Sequence, residues 1–198
     1  MNRQAFYDAV RPLFGGALKQ SQVDGLRVIL DEWESRPAND ARWLAYMLAT
    51  TQHETASTMQ PIKEYGGDAY FHDRYDPKGK RPDIAKALGN TQPGDGVLFC
   101  GRGFIQITGR RNYALLAAKT GEDLIGNPSI ALRPTIAVRA LFDGMSEGWF
   151  TGRKLADYFD SDTEDWRNAR RIINGLDKAD DIARLAQSYR AALRKAGV

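Results

Sequence analysis

The chain has 198 residues, 42% of them hydrophobic, with 28 Lys+Arg against 25 Asp+Glu and a formal net charge of +3, enough apolar material for one full core or for two small lobes. Its single cysteine, Cys100, excludes an intramolecular disulfide, so the fold is expected to hold by packing alone and to suit a reducing cytoplasm, with Cys100 as a small buried thiol between Phe99 and Gly101. Residues 133–198 carry 12 Lys+Arg against 10 Asp+Glu, leaving 16 against 15 for the rest, so the positive charge suits an anionic partner but forms no basic arm, and nucleic acid is not expected as a ligand.

In chain order, the N-terminus Met1-Asn2-Arg3-Gln4-Ala5-Phe6-Tyr7 lacks the basic start and apolar block of a secretion signal. No stretch approaches the roughly 18 apolar residues of a membrane span, so no stable membrane insertion is expected. Ser21-Gln22-Val23-Asp24 reads as a capped helix start. Val23, Leu26, Ile29, Leu30 and Trp33 then recur at helical spacing until Arg36-Pro37 breaks the pattern. A second helix is expected to begin near Asn39-Asp40, with Trp43, Leu44, Met47 and Leu48 as its apolar stripe, and to carry the chain into Gln52-His53-Glu54. From Tyr65 to about Gly103, turn signals such as Gly66-Gly67, Asp76-Pro77, Arg81-Pro82 and Gln92-Pro93-Gly94 predict a long loop with at most one short helix, around Asp83–Leu88. A loop of that length points to function. Helices are then predicted over about Arg110–Thr120 closed by Gly121, Pro134–Glu147, Thr163–Asn174 closed by Gly175, and Asp180–Lys195.

Three short stretches carry chemistry. His53-Glu54 lacks the second histidine one turn on that a zinc protease helix requires, Ser57 standing there instead, so no metal is expected. As a structural feature alone, Glu54 would pair at a helix end and His53 would be a satisfied core histidine. As a functional one, Glu54 needs a second carboxylate, because glycoside hydrolysis uses one acid to protonate the leaving oxygen and one carboxylate to activate water or attack the sugar. Glu64 is the first candidate, with Asp73 and Asp76 as competitors. In Gly101–Thr108, alternation along an extended segment is expected to place Phe104, Gln106 and Thr108 on one side and Ile105 and Ile107 on the other, offering amide and hydroxyl groups to sugar hydroxyls and a water. Ile172-Ile173-Asn174-Gly175 reads as a helix end with a glycine stop.

Taken together, His53-Glu54-Thr55, Gly101-Arg102-Gly103-Phe104-Ile105-Gln106-Ile107-Thr108, Asn112-Tyr113, Ile172-Ile173-Asn174-Gly175 and Arg184 resemble, in this order, glycoside hydrolase family 19. That family includes plant chitinases and many bacteriophage endolysins. The short length, the lack of a signal and of disulfide cysteines, and the opening helices resemble the phage branch, and the match covers roughly residues 40–190. The resemblance implies one catalytic domain over residues 1–198 with a mainly α, lysozyme-like fold, two-lobed around a central substrate cleft, and at most a small β element. It implies Glu54 as general acid, Glu64 as base in the phage-type spacing, and Thr108 as the hydroxyl that holds the attacking water. Gln106, Asn112 and Asn174 are implied as substrate-binding residues and Arg184 as the arginine that joins the carboxylate network. The implied mechanism is inversion without metal or cofactor, acid and base standing about 6.5–9.5 Å apart. The implied activity is that of a monomeric endolysin cutting β-1,4 bonds of peptidoglycan, made in the host cytoplasm and acting on the cell wall after release. A chitinase using the same residues and a catalytically silent wall-binding module are the alternatives.

Overall fold

The computed structural model describes residues 1–37 and 40–198. The fold is mainly α with one small β element, as expected. Its contacts divide it into two compact units, residues 1–60 with 141–198, and residues 61–140.

The first unit contains α1 (Arg3–Val10), α2 (Gln20–Ser35), α3 (Ala41–Glu54) and α9 (Ala179–Lys195). Asp40 caps α3 by accepting the Arg42 amide at 2.8 Å; Asn39, where this helix was expected to begin, lies outside the described residues. The expected stripe on α3 understates its burial, because every residue from Leu44 to Gln52 is buried. A helix apolar nearly all round belongs at the centre of its unit, and α3 packs chiefly on α9, which also receives α1. Of the polar side chains this buries, Gln52 is paired at both ends: Tyr189 of α9 donates to Gln52 Oε1 at 2.7 Å, and Gln52 Nε2 donates to the Leu13 carbonyl at 3.0 Å, whereas the hydroxyls of Tyr46, Thr50 and Thr51 make no side-chain hydrogen bond among the described residues. The start of α2 lies slightly before the predicted cap, with Gln22 Oε1 accepting the Lys19 amide at 2.8 Å. The predicted helix over Thr163–Asn174 is not formed. A bridge between Phe159 and Glu164 and a short 3-10 helix, Asn168–Ile172, replace it, because Asp165 takes the Asn168 amide (3.0 Å) and side chain (2.8 Å) in a local turn, the usual way aspartate competes with a helix.

The second unit contains β1 (Ile62–Lys63) paired antiparallel with β2 (Arg102–Gly103), together with α4 (Asp68–Tyr75), α5 (Pro82–Ala87), α6 (Asp95–Leu98) and α7 (Arg110–Thr120). The helix α8 (Pro134–Glu147) begins here and continues past the division at residue 140. The stretch from Tyr65 to Gly103 is therefore not a loop with one helix: it also holds α4 and α6. Phe71 and Tyr75, four residues apart on α4, bury one face of that helix against Cys100, Ile84, Leu88 and Val97. Cys100 is buried as expected, and burial pushes its thiol pKa up. The tight α6 turn is organised by Asp95. It accepts the Thr91 and Gln92 amides at 2.9 and 3.0 Å and both guanidinium arms of Arg110 at 2.9 and 2.5 Å. Among the described residues no helix is long and apolar enough to cross a membrane.

Candidate active site

Glu54 ends α3, and the turn behind it is strained. Ala56, Ser57 and Met59 all take left-handed backbone angles, with φ of 49, 62 and 54°, a conformation that costs a non-glycine residue roughly 1–2 kcal/mol. Side chains hold the turn in place. Thr55 Oγ1 donates to the Thr51 carbonyl at 2.7 Å and accepts the Met59 amide at 3.1 Å, while Gln22 of α2 donates to the Ser57 carbonyl at 2.9 Å. At Gly25 of α2 a Cβ would stand 1.6 Å from the Met59 carbonyl oxygen, so only glycine lets this backbone pass. These contacts hold the strained backbone in place directly after Glu54.

The Glu54 side chain is 18% exposed and its Oε1 accepts from Arg170 Nη1 at 2.7 Å; Arg170 itself is 4% exposed. The same guanidinium holds the following loop through a bond from Nε to the Asp177 carbonyl at 3.2 Å, and the Asn174 amide donates to the Arg170 carbonyl at 3.1 Å. One oxygen of Glu54 is thus anchored, and Oε2 has no hydrogen-bond partner among the described residues. His53, by contrast, points outward rather than into the core.

Arg184, expected in the carboxylate network, lies elsewhere. Its side chain is 71% exposed and pairs with Asp181 one turn back on α9. The arginine on Glu54 is Arg170, one of a pair of arginines just before Ile172-Ile173-Asn174-Gly175. Asn174 is exposed, its Oδ1 accepting the Gly175 amide at 2.8 Å.

Glu64, immediately after β1, forms a second anchored carboxylate. Its Oε1 accepts the Tyr75 hydroxyl at 2.9 Å and its Oε2 accepts the Gly101 amide at 3.1 Å. Burial, reinforced by the Glu64 charge, raises the Tyr75 phenol pKa well above its ordinary value, so Tyr75 stays a donor. Gln106 converges on the same place: a Cβ at Gly101 would meet Gln106 Oε1 at 2.8 Å and Glu64 Oε2 at 3.0 Å, so Gly101 leaves room for both side-chain ends.

The segment carrying Gln106 and Thr108 is not the extended strand that alternation suggested. Arg102 and Ile107 exchange backbone hydrogen bonds at 3.1 and 2.8 Å, reversing the chain over Phe104–Gln106. Phe104, Ile105 and Ile107 are all buried, and Gln106, left-handed at φ 55°, and Thr108 remain partly exposed. Three apolar residues in four positions favour a turn into the core over a strand with two faces. The polar residues then support one another. Gln106 Nε2 donates to the carbonyls of Ile62 and Gly103, both at 3.1 Å, Thr108 Oγ1 donates to the Gln106 carbonyl at 2.8 Å, and Asn112 Nδ2 donates to the Thr108 carbonyl at 2.9 Å. With its proton engaged, the Thr108 oxygen offers lone pairs outward and can accept from a water.

The competing aspartates have other work. Asp76 is fully buried and accepts the amides of Gly94, Lys78 and Gly96 at 2.6, 3.1 and 3.4 Å, an arrangement that organises loops. Asp73 sits on the surface, where a hydrogen bond from Lys80 at 2.6 Å holds its carboxyl below the usual range. Among the described residues no three His, Cys, Asp or Glu side chains gather as a metal ion would require.

The two residues that hold these carboxylates, Arg170 on Glu54 and Tyr75 on Glu64, escaped the sequence reading. The Phe71–Tyr75 spacing of four was the available signal for α4 and hence for Tyr75; nothing local distinguished Arg170 from Arg171 or Arg184. No protein-family model matches the chain, and no curated protein matches it.

Proposed function

We propose that the chain is a glycoside hydrolase of the family 19 type, an endolysin that hydrolyses β-1,4 bonds of bacterial peptidoglycan with inversion. The observation that carries this reading is the anchored carboxylate Glu64, held by Tyr75 and the Gly101 amide beside Gln106 in the turn that also presents Thr108. In this mechanism Glu54, steadied by Arg170, protonates the leaving oxygen from its unengaged Oε2. A water gives one proton to a hydrogen bond on Thr108 Oγ1 and the other to Glu64, which leaves its oxygen lone pair directed at the anomeric carbon. Glu64 accepts the second proton as the carbon–oxygen bond breaks, and no covalent sugar intermediate is needed. Gln106 and Asn112 fix the turn that presents Thr108, which makes positioning their main contribution and substrate contact a secondary one.

The supporting experiment is turnover of purified peptidoglycan by the full chain and by Glu54→Gln. Release of new reducing ends by the wild type and its loss in the variant are expected. Binding without turnover by both proteins would identify a catalytically silent wall-binding module instead.

A further inference from the structure

Among the described residues the large exposed apolar side chains are Tyr65 at 72%, Tyr70 at 43% and Leu98, and the first two lie within six residues of Glu64. Tyr70 is held in its exposed position. The Gly66 backbone lies so close that a Cβ there would meet its ring at 2.6 Å, and its ring packs edge-on against Phe71 with centroids 5.5 Å apart. Two cations stand over rings of the same helix. The Arg74 guanidinium stands 5.8 Å from the Tyr70 centroid and 5.5 Å from that of Tyr75, the residue whose hydroxyl holds Glu64; Lys63 Nζ stands 5.4 Å from the Phe71 centroid. Neither cation closes a salt bridge within 4 Å among the described residues. Exposed rings beside cations that close no salt bridge can be covered by a ligand that is apolar in its ring faces and anionic in its substituents.

The geometry points to Lys63, Tyr65, Tyr70 and Arg74 as a specificity strip that binds a carboxylate-bearing amino-sugar polymer and selects it over a neutral one. The tyrosine rings take sugar faces. Arg74 and Lys63 take carboxylates of the lactyl ether or peptide stem, groups that chitin lacks. A polyphosphate fits poorly, because the strip ends at the Glu64 carboxylate. This inference rests on the glycan-hydrolase reading for the polymer's class, yet it concerns binding alone and can be tested without turnover.

The test is equilibrium co-sedimentation of the full chain with insoluble peptidoglycan and with chitin, using Glu54→Gln as parent so that neither polymer is consumed. Adding Lys63→Gln and Arg74→Gln together is expected to raise Kd on peptidoglycan about tenfold, equivalent to about 1.4 kcal/mol, and to leave chitin binding unchanged. Amidating the wall carboxylates should raise the parent's Kd by a similar factor and abolish the difference between parent and charge variant; this arm alters no residue, so it is independent of folding. Tyr70→Ala should weaken binding to both polymers. An unchanged Kd on intact wall, equal losses on wall and chitin, or indifference to amidation would each overturn the proposal. A wild type that binds in this selective way and never turns over would leave the strip standing and remove the hydrolase reading.

Discussion

The reassignment of the arginine that supports Glu54 makes a sharp prediction. Arg170→Gln removes the 2.7 Å bond to Glu54 and the 3.2 Å bond to the Asp177 carbonyl, and leaves a carboxylate that is 18% exposed without its cation. A hydrogen bond to a charged group contributes about 1.5–3 kcal/mol, and stranding one member of a buried pair costs about 3–5 kcal/mol. Because Glu54 keeps some access to water, about 3 kcal/mol is the expected loss. At roughly 2–4 °C per kcal/mol for a chain of this size, the thermal midpoint should fall by about 6–12 °C. Turnover should fall by about a hundredfold as the acid loses its orientation. Arg184→Gln breaks only an exposed pair one turn apart on α9, worth about 0–0.5 kcal/mol, and should shift the midpoint by less than about 2 °C with activity intact. Calorimetry or circular-dichroism melts of both variants, with turnover measured on the same preparations, decide the matter. Equal losses in the two, or an Arg170→Gln midpoint within about 2 °C of wild type, would refute the placement of Arg170.

Other outcomes follow from the same geometry. Glu64→Gln should fold normally and lose roughly 10²–10⁴ in turnover as the base is removed, whereas Asp73→Asn should be near wild type and Asp76→Asn should lower stability in a urea titration before it touches the rate of the folded fraction; an essential Asp73 with a dispensable Glu64 would reverse the assignment. Thr108→Val preserves volume but removes the lone pairs offered to water, so kcat should drop while KM holds, and steady-state kinetics showing the opposite split would place Thr108 in binding instead. Burial pushes the Asp95 carboxyl up, but Arg110 and the amides of Gln92 and Thr91 outweigh it and hold the pKa below the usual value. Its stabilisation is therefore complete above about pH 4 and is lost as pH falls through the lowered folded pKa, so urea unfolding below pH 4 should show a steeper loss in wild type than in Asp95→Asn.

Much of the helical framework was legible because long helices advertise themselves by spacing. The predicted helices over 110–120 and 134–147 appear where Arg110–Thr120 and Pro134–Glu147 were read, and α9 differs from its prediction by one residue at its start. The failures share a cause. α4 is short, lies among turn signals and buries only Phe71 and Tyr75, so its period is spelled by two residues; the stability that makes it a helix comes from Cys100, Ile84 and Val97, distant in sequence. The segment after Gly101 alternates in polarity well enough to imitate a strand, but a bridge between Arg102 and Ile107 and a left-handed Gln106 are tertiary facts. Among the candidate residues, Glu54, Glu64, Gln106, Thr108 and Asn112 were named from motif order and spacing. The partners that orient both carboxylates could not, since Arg170 reaches Glu54 across 116 positions and Tyr75 depends on the unrecognised α4.

The central claim, two anchored carboxylates working as acid and base on a β-linked amino-sugar polymer, is tested most directly by proton NMR of the first products released from soluble peptidoglycan fragments. The wild type is expected to release reducing ends that appear first as the α-anomer and then equilibrate, and Glu54→Gln is expected to release none. A first-formed β-anomer, or undiminished release by Glu54→Gln, would contradict the account.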